Sequence, residues 1–210
     1  MRKSCGTLLL AVGILLLAAA LLLISYNTAE ESRAEAAVEA VMPALSAAIA
    51  AQAAADVPPA LDAVAEAPAS DAQPSPAAEP VVQIDGEAFL GYLTIDALAL
   101  SLPVRQTLTE PNLKASPCRY AGSADARGFV IAAHNYRRQF AGLGTLAVGD
   151  AVRFTDAAGR VHTYAVSQVE TLDAADVTGM TDANWDLTLF TCTYSGERRV
   201  TVRCTKAEAE

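Results

Sequence analysis

Apolar and polar positions fall into four successive patterns along the chain. The first is an unbroken run of eighteen uncharged, almost wholly apolar residues from Thr7 to Ile24. As a helix this run spans roughly 27 Å, close to the thickness of a bilayer core. The second pattern, Glu30 to Val41 and again Ala44 to Asp56, is alanine-rich and helix-prone, with Pro43 expected as a break and Pro58-Pro59 as a stop. The third runs through Pro68, Pro74, Pro76 and Pro80 and reads as an extended acidic tether. The fourth is a series of short strand signals. Gly91 to Ile95 and Ala99 to Val104 alternate around a turn, and Gly128 to His134 is an apolar run. Ala151 to Thr155 and Val161 to Val169 flank Asp156-Ala157-Ala158-Gly159, and Leu187 to Thr193 and Arg198 to Cys204 close the series. A helical turn or two is expected between Arg137 and Leu146, ending near Gly149-Asp150.

These patterns divide the chain into a tip and membrane anchor over residues 1–26, an Ala/Pro-rich acidic stalk over 27–80, and a folded domain over 81–210. Many short strands joined by turns predict an all-β fold, a closed or nearly closed β-barrel with short helices, because open sheet edges invite self-association. Arg2 and Lys3 precede the apolar run and predict a cytoplasmic N-terminus, with everything after Ile24 outside. An uncleaved anchor is preferred to a signal peptide, since the run exceeds the usual signal core and Leu21 to Tyr26 offers poor small-x-small cleavage sites. Cys5 precedes the run and is not placed like a lipoprotein cysteine.

Composition explains the stalk. The chain is 52% hydrophobic but only 6% aromatic, and the excess is alanine and leucine. No aromatic residue lies between Tyr26 and Phe89, and seven of the ten prolines fall in that interval, so no packed core is expected there. Without a stripe of large apolar residues, a spacer is the preferred reading over a partner-binding helix. Charge is uneven too: residues 26–80 hold nine acidic residues against one basic, and residues 81–210 hold fifteen against twelve. No basic surplus or Lys/Arg run remains to bind nucleic acid.

Chemistry concentrates near the end. In Leu187 to Cys204, a hairpin turning at Ser195-Gly196 pairs Thr193 with Arg198 and sets Cys192 opposite Arg199. Strand parity then puts Thr188, Phe190, Cys192, Arg199, Thr201 and Arg203 on one face, expected to be the outer, solvent-reachable wall. Leu187, Leu189, Val200, Val202 and Cys204 face the core. A nearby permanent cation favours a thiolate, or an oxyanion formed when that thiolate attacks a carbonyl. Of the two histidines, His134 ends an apolar strand, a usual place for a reactive side chain, whereas His162 alternates with Tyr164 and Val166 and reads as an ordinary cross-strand residue.

Three motifs together resemble the sortases, membrane-anchored cysteine transpeptidases of Gram-positive-type cell envelopes. Thr188-Leu189-Phe190-Thr191-Cys192 is similar to the family's Thr-Leu-x-Thr-Cys signature, and Ile131 to Tyr136 resembles the segment carrying its histidine. Arg199, followed by Val200 and Val202, sits where the family's arginine begins the last strand, and Gly91 to Ile95 resembles the opening strand. The step of seven from Cys192 to Arg199 is short for the family and leaves Arg198 and Arg203 as rivals, between which the hairpin register favours Arg199. The resemblance implies a sortase-type β-barrel in the plasma membrane, a single-pass protein held by residues 7–24 with its catalytic domain outside. It implies Cys192 as nucleophile, His134 as acid and base, and Arg199 as binder of the substrate backbone and oxyanion. Partners would be surface proteins or pilins bearing a Leu-Pro-x-Thr-Gly kind of sorting signal, with an amine acceptor such as a peptidoglycan precursor. No cofactor is expected. Some sortases use calcium, but Asp85, Glu87, Asp173, Asp176 and Asp182 form no compact calcium loop. Cys118 and Cys204 are read as buried thiols, a disulfide being the alternative, and Lys206 to Glu210 as a polar end without a sorting signal. Two other functions remain open: a non-catalytic anchored domain that binds peptide or wall polymer, and a cysteine endopeptidase in which water resolves the thioester.

Overall fold

The computed structural model describes residues 2–55 and 79–207, with side chains from Leu10 onward. Most of the extended tether, residues 56–78, lies outside the described residues, as does the side chain of Cys5.

Eight strands close into a barrel. In chain order the elements are α1 (Arg2–Ala55), β1 (Val82–Ile84), β2 (Glu87–Ile95), β3 (Leu100–Arg105), α2 (Glu110–Ala115), β4 (Cys118–Ala121) and β5 (Phe129–Ala132), followed by β6 (Ala151–Asp156), β7 (Val161–Asp173), α3 (Val177–Met180), β8 (Leu187–Cys192) and β9 (Arg198–Lys206). Neighbours run β2-β3-β4-β5-β8-β9-β7-β6, the β2–β6 pairing closes the ring, and β1 adds to the free half of β2. Closure demands a glycine at position 91: a Cβ there would sit 1.9 Å from the Thr155 carbonyl oxygen of β6. The alternation predicted from sequence fills the interior, where Leu93, Ile95, Leu102, Phe129, Phe154, Tyr164, Leu189 and Val202 are all buried in one cluster. The short helical segment expected between Arg137 and Leu146 is one 3-10 turn, Leu143–Thr145.

Two expectations about the stalk need correction. Pro43 does not break the helix; α1 runs unbroken from Arg2 to Ala55, and the expected stop at Pro58-Pro59 lies outside the described residues. An interior proline costs about 3 kcal/mol in an isolated helix, and packing on both sides of it offsets that cost here. Nor is this part of the stalk an unpacked spacer. Ala34, Leu45 and Ile49 are buried, and Val38, Val41 and Ala48 pack beside them against the barrel. Leu45 and Ile49 meet Val82, Phe89 and Ala157. The stripe recurs at helical spacing but is built from small and medium side chains, so a search for large apolar residues misses it.

Candidate active site

The last hairpin forms in the expected register. Cys192 of β8 is the Cα partner of Arg199 of β9, and the Thr193 amide donates to the Arg198 carbonyl at 2.9 Å. The turn between them uses Gly196 at φ 76°, in the left-handed region. Parallel pairing brings the third segment in. β5 runs beside β8 with Ala132 opposite Phe190, and the Ala133 amide donates to the Phe190 carbonyl at 3.2 Å. Thr191 then donates its hydroxyl to the Ala133 carbonyl at 2.8 Å. His134 lies two residues beyond the end of β5 and Cys192 is the last residue of β8, so both stand at the same end of this parallel pair. Cys192, His134 and Arg199 are all partly exposed at this edge.

His134 itself lies just beyond β5 in a tightly wound loop. Its amide donates to the side-chain carbonyl of Gln139 at 3.2 Å, its carbonyl accepts from the Phe140 amide at 3.2 Å, and its ring stacks on Tyr136 with centroids 4.8 Å apart. Gln139 is 1% exposed, so a buried amide side chain clamps the loop from inside. The buried Nε2 of His134 has no partner among the described residues. Burial holds the His134 pKa below its ordinary value; Lys114 adds to that depression and Glu110 opposes it.

The expected solvent-reachable wall is covered for most of its length. Thr188, Thr201 and Arg203 are fully buried, and Phe190 is packed with Val130, Ala132 and Met180 under Leu113, Ala121 and Leu172. Tyr120 stands edge-on to Phe190 at 5.1 Å. The α3 segment supplies Met180 to this cover, which the alternation of β8 and β9 cannot reveal because it arrives from elsewhere in the chain. Only the end of the wall, at Cys192 and Arg199, stays open.

The rival arginines separate by environment. Arg203, 2% exposed, pairs with Glu170 at 2.7 Å and donates to Thr188 Oγ1 and to the Gly179 and Met180 carbonyls. It is committed to holding α3 against the barrel. Arg198 is exposed and its neighbour across the ladder is Asp173 of β7. Arg199 donates Nη1 to the Gly196 and Arg198 carbonyls at 2.9 and 3.1 Å, resting on its own turn.

Both threonines of the Thr-Leu-Phe-Thr-Cys segment therefore hold the scaffold: Thr188 accepts from Arg203, and Thr191 ties β8 to the residue preceding His134. Gln139 was not singled out from sequence, and Thr191 only as part of the Thr-Leu-Phe-Thr-Cys motif, because nothing local marks a polar residue whose partner is distant. Cys118 and Cys204 are free, buried thiols, and burial pushes each up to about 12. They occupy strands separated by β5 and β8, so the disulfide alternative is excluded by topology.

At the opposite end of the barrel, Asp125, Asp156 and His162 bring ligand-type atoms within 4.8 Å of one another. Arg160 already fills that cluster, pairing with Asp156 at 2.8 Å and Asp125 at 2.9 Å, while His162 Nε2 lies 3.1 Å from Asp156. A cation site of this kind is satisfied by the guanidinium.

A closed eight-stranded barrel with a cysteine, a histidine and an arginine at one edge is the sortase class of architecture. The sortase domain model matches residues 93–207, and the chain belongs to the sortase family, a family of transpeptidases. Solved structures with similar folds include sortase C1 from Streptococcus agalactiae, with a TM-score of 0.55, 24% identity, and coverage of 61% of this chain and 72% of that one. Sortase A from Corynebacterium diphtheriae gives a TM-score of 0.53 and 21% identity over 59% of this chain and 63% of that one. A Clostridium perfringens sortase D5 transpeptidase gives 0.52 and 18%, over 57% and 79%. Comparison with curated proteins produced no match.

Proposed function

We propose that the chain is a membrane-anchored sortase whose Cys192, His134 and Arg199 carry out transpeptidation on a C-terminal sorting signal. The observation that supports this reading is that the parallel β5–β8 pair ends with His134 and Cys192 at one end of the barrel, where the β8–β9 register pairs Cys192 with Arg199.

In this mechanism the Cys192 thiolate attacks the carbonyl carbon before the scissile bond and forms a tetrahedral oxyanion. Arg199 leaves the turn carbonyls of Gly196 and Arg198 to donate to that oxygen and to the substrate backbone. As the carbon–nitrogen bond breaks, imidazolium His134 gives its proton to the departing amine, leaving an acyl thioester on Cys192. Neutral His134 then takes a proton from the incoming amine, which attacks the thioester, forms the new amide and releases the thiolate. The unpartnered Nε2 of His134 supports the assignment, because a buried ring nitrogen without a partner costs about 1–3 kcal/mol unless something else binds there.

The donors would be surface proteins or pilins and the acceptor an amine of the cell envelope, following the family's chemistry. The apolar helix over residues 7–24, open on all sides where described, suits a single-pass anchor, and Arg2 and Lys3 favour a cytoplasmic N-terminus with the barrel outside. The test is intact-mass analysis after addition of a Leu-Pro-x-Thr-Gly-type peptide. A covalent acyl adduct that disappears in Cys192→Ala supports the enzyme; binding without an adduct in the unsubstituted chain overturns it in favour of a binding domain. Adding an amine nucleophile then separates transpeptidation from hydrolysis by product mass.

A further inference from the structure

Because α1 is a single helix, it serves as a ruler between the membrane and the barrel. Residues rise 1.5 Å each, and the barrel's features line up along it. Tyr26 and Asn27 share a cleft of about 310 Å³ with Asn135, Tyr136 and Tyr194. Glu35 pairs with Arg138. Further on, Leu45 and Ile49 pack on Phe89. Last, Ala53 lies against Gly159 of the β6–β7 turn. The edge holding Cys192 and His134 is therefore the membrane-proximal end of the barrel, and the β6–β7 turn, roughly 40 Å further along the helix, is the distal end.

The apolar run ends at Ile24, and its described residues are bare, with Leu15 70% and Leu22 72% exposed. The headgroup layer extends roughly 6 Å beyond the hydrocarbon core on each side. Tyr26 and Asn27, about 3 and 5 Å past Ile24, fall inside that layer, and their cleft, lined also by Glu30 and Glu31 roughly 9–10 Å past Ile24, brings the loop and turn to its outer face. Three tyrosines meet there: Tyr26, 58% exposed; Tyr136, which stacks on His134; and Tyr194, 96% exposed at the tip of the β8–β9 turn. Tyr194 stands almost fully exposed two residues from Cys192, beside two further tyrosines. Tyrosine rings are enriched at the membrane–water interface. Arg33 pairs with Glu30, Arg138 with Glu35 and Lys114 with Glu110, and Glu31 and Glu197 stand against Arg137, Arg198 and Arg199, so the face carries little net charge.

We propose that this end of the barrel docks on the phospholipid headgroup layer, with Tyr194, Tyr136 and Tyr26 as the contact, so that the Cys192–His134 edge opens at the bilayer surface. The inference rests on the reading of residues 7–24 as a membrane span. With little net charge on this face, docking takes place on zwitterionic lipid.

The test uses the full chain reconstituted in phosphatidylcholine vesicles, with and without phosphatidylcholine brominated along its acyl chains. Trp185→Phe removes the only native tryptophan, and single probes are placed by Leu16→Trp, Tyr194→Trp and Val161→Trp. Tyr194 and Val161, 96% and 59% exposed, accept the larger ring without disturbing the core. The expected result is strong loss of emission on bromination for the probes at 16 and 194, with none at 161. Quenching at 16 with none at 194 overturns the docking and leaves the anchor standing. No quenching at 16 overturns the anchor, and the docking with it.

Discussion

The two ends of the barrel each carry a histidine, and they differ in how completely the polar groups are satisfied. At the distal end His162 contacts Asp156, whose carboxylate also accepts from Arg160 and from two backbone amides. That end is saturated. At the proximal end His134 has a buried Nε2 with no partner among the described residues, and Arg199 rests on two carbonyls of an exposed turn. Polar groups whose partners lie within the fold hold it together, whereas His134 and Arg199, left open at an exposed edge, can meet an incoming ligand. Strand β9 repeats the contrast over four residues, from partly exposed Arg199 to buried Arg203.

The comparison breaks most visibly at the thiol: Cys192→Ala is expected to abolish acyl-adduct formation in intact-mass analysis without lowering the melting temperature. His134→Ala is expected to cut kcat/KM by roughly 10²–10⁴, while His162→Ala leaves it nearly unchanged in the same peptide assay. Equal losses from the two would remove the distinction between the ends. Arg199→Ala should lower kcat/KM by roughly 10²–10³ with little change in denaturant midpoint. Arg203→Ala should do the reverse in kind, destabilising the fold by about 3 kcal/mol by stranding Glu170 and the carbonyls that Arg203 now serves. A loss of activity at unchanged stability in Arg203→Ala would make it the better candidate.

The smallest effect concerns pH. His134 is held below its ordinary 6.5 chiefly by burial, so the unfolded chain binds this proton more readily than the folded one. Stability from this group is full above pH 6.5 and declines as pH falls through the interval between that value and the lowered folded one. The kcat/KM profile should place its alkaline limb, where the imidazolium that protonates the departing amine is lost, below pH 6.5, and Lys114→Gln, which removes a cation that depresses the imidazole, should move that limb upward. A limb that stays fixed would exclude Lys114 as an influence on His134.

Local alternation was enough to predict the barrel, the hairpin register that pairs Cys192 with Arg199, and the apolar run over residues 7–24. These depend on period-two patterning and turn chemistry, which neighbouring residues carry among themselves. What came from the tertiary fold depends on segments far apart in the chain. The parallel β5–β8 pairing brings the ends of two strands, with His134 just past one and Cys192 closing the other, to the same end of the barrel across more than fifty residues of sequence, and no local signal encodes a parallel register. Strands β1 and β4 were too short to stand out. The cover that buries Arg203 and the small-residue stripe that docks α1 are likewise invisible until the opposing surface exists. Sequence alone therefore established which residues carry reactive groups and which way each strand faces. Only packing between distant elements decided which of those groups are used up inside the fold and which stay open, because burial and hydrogen-bond satisfaction depend on both partners at once.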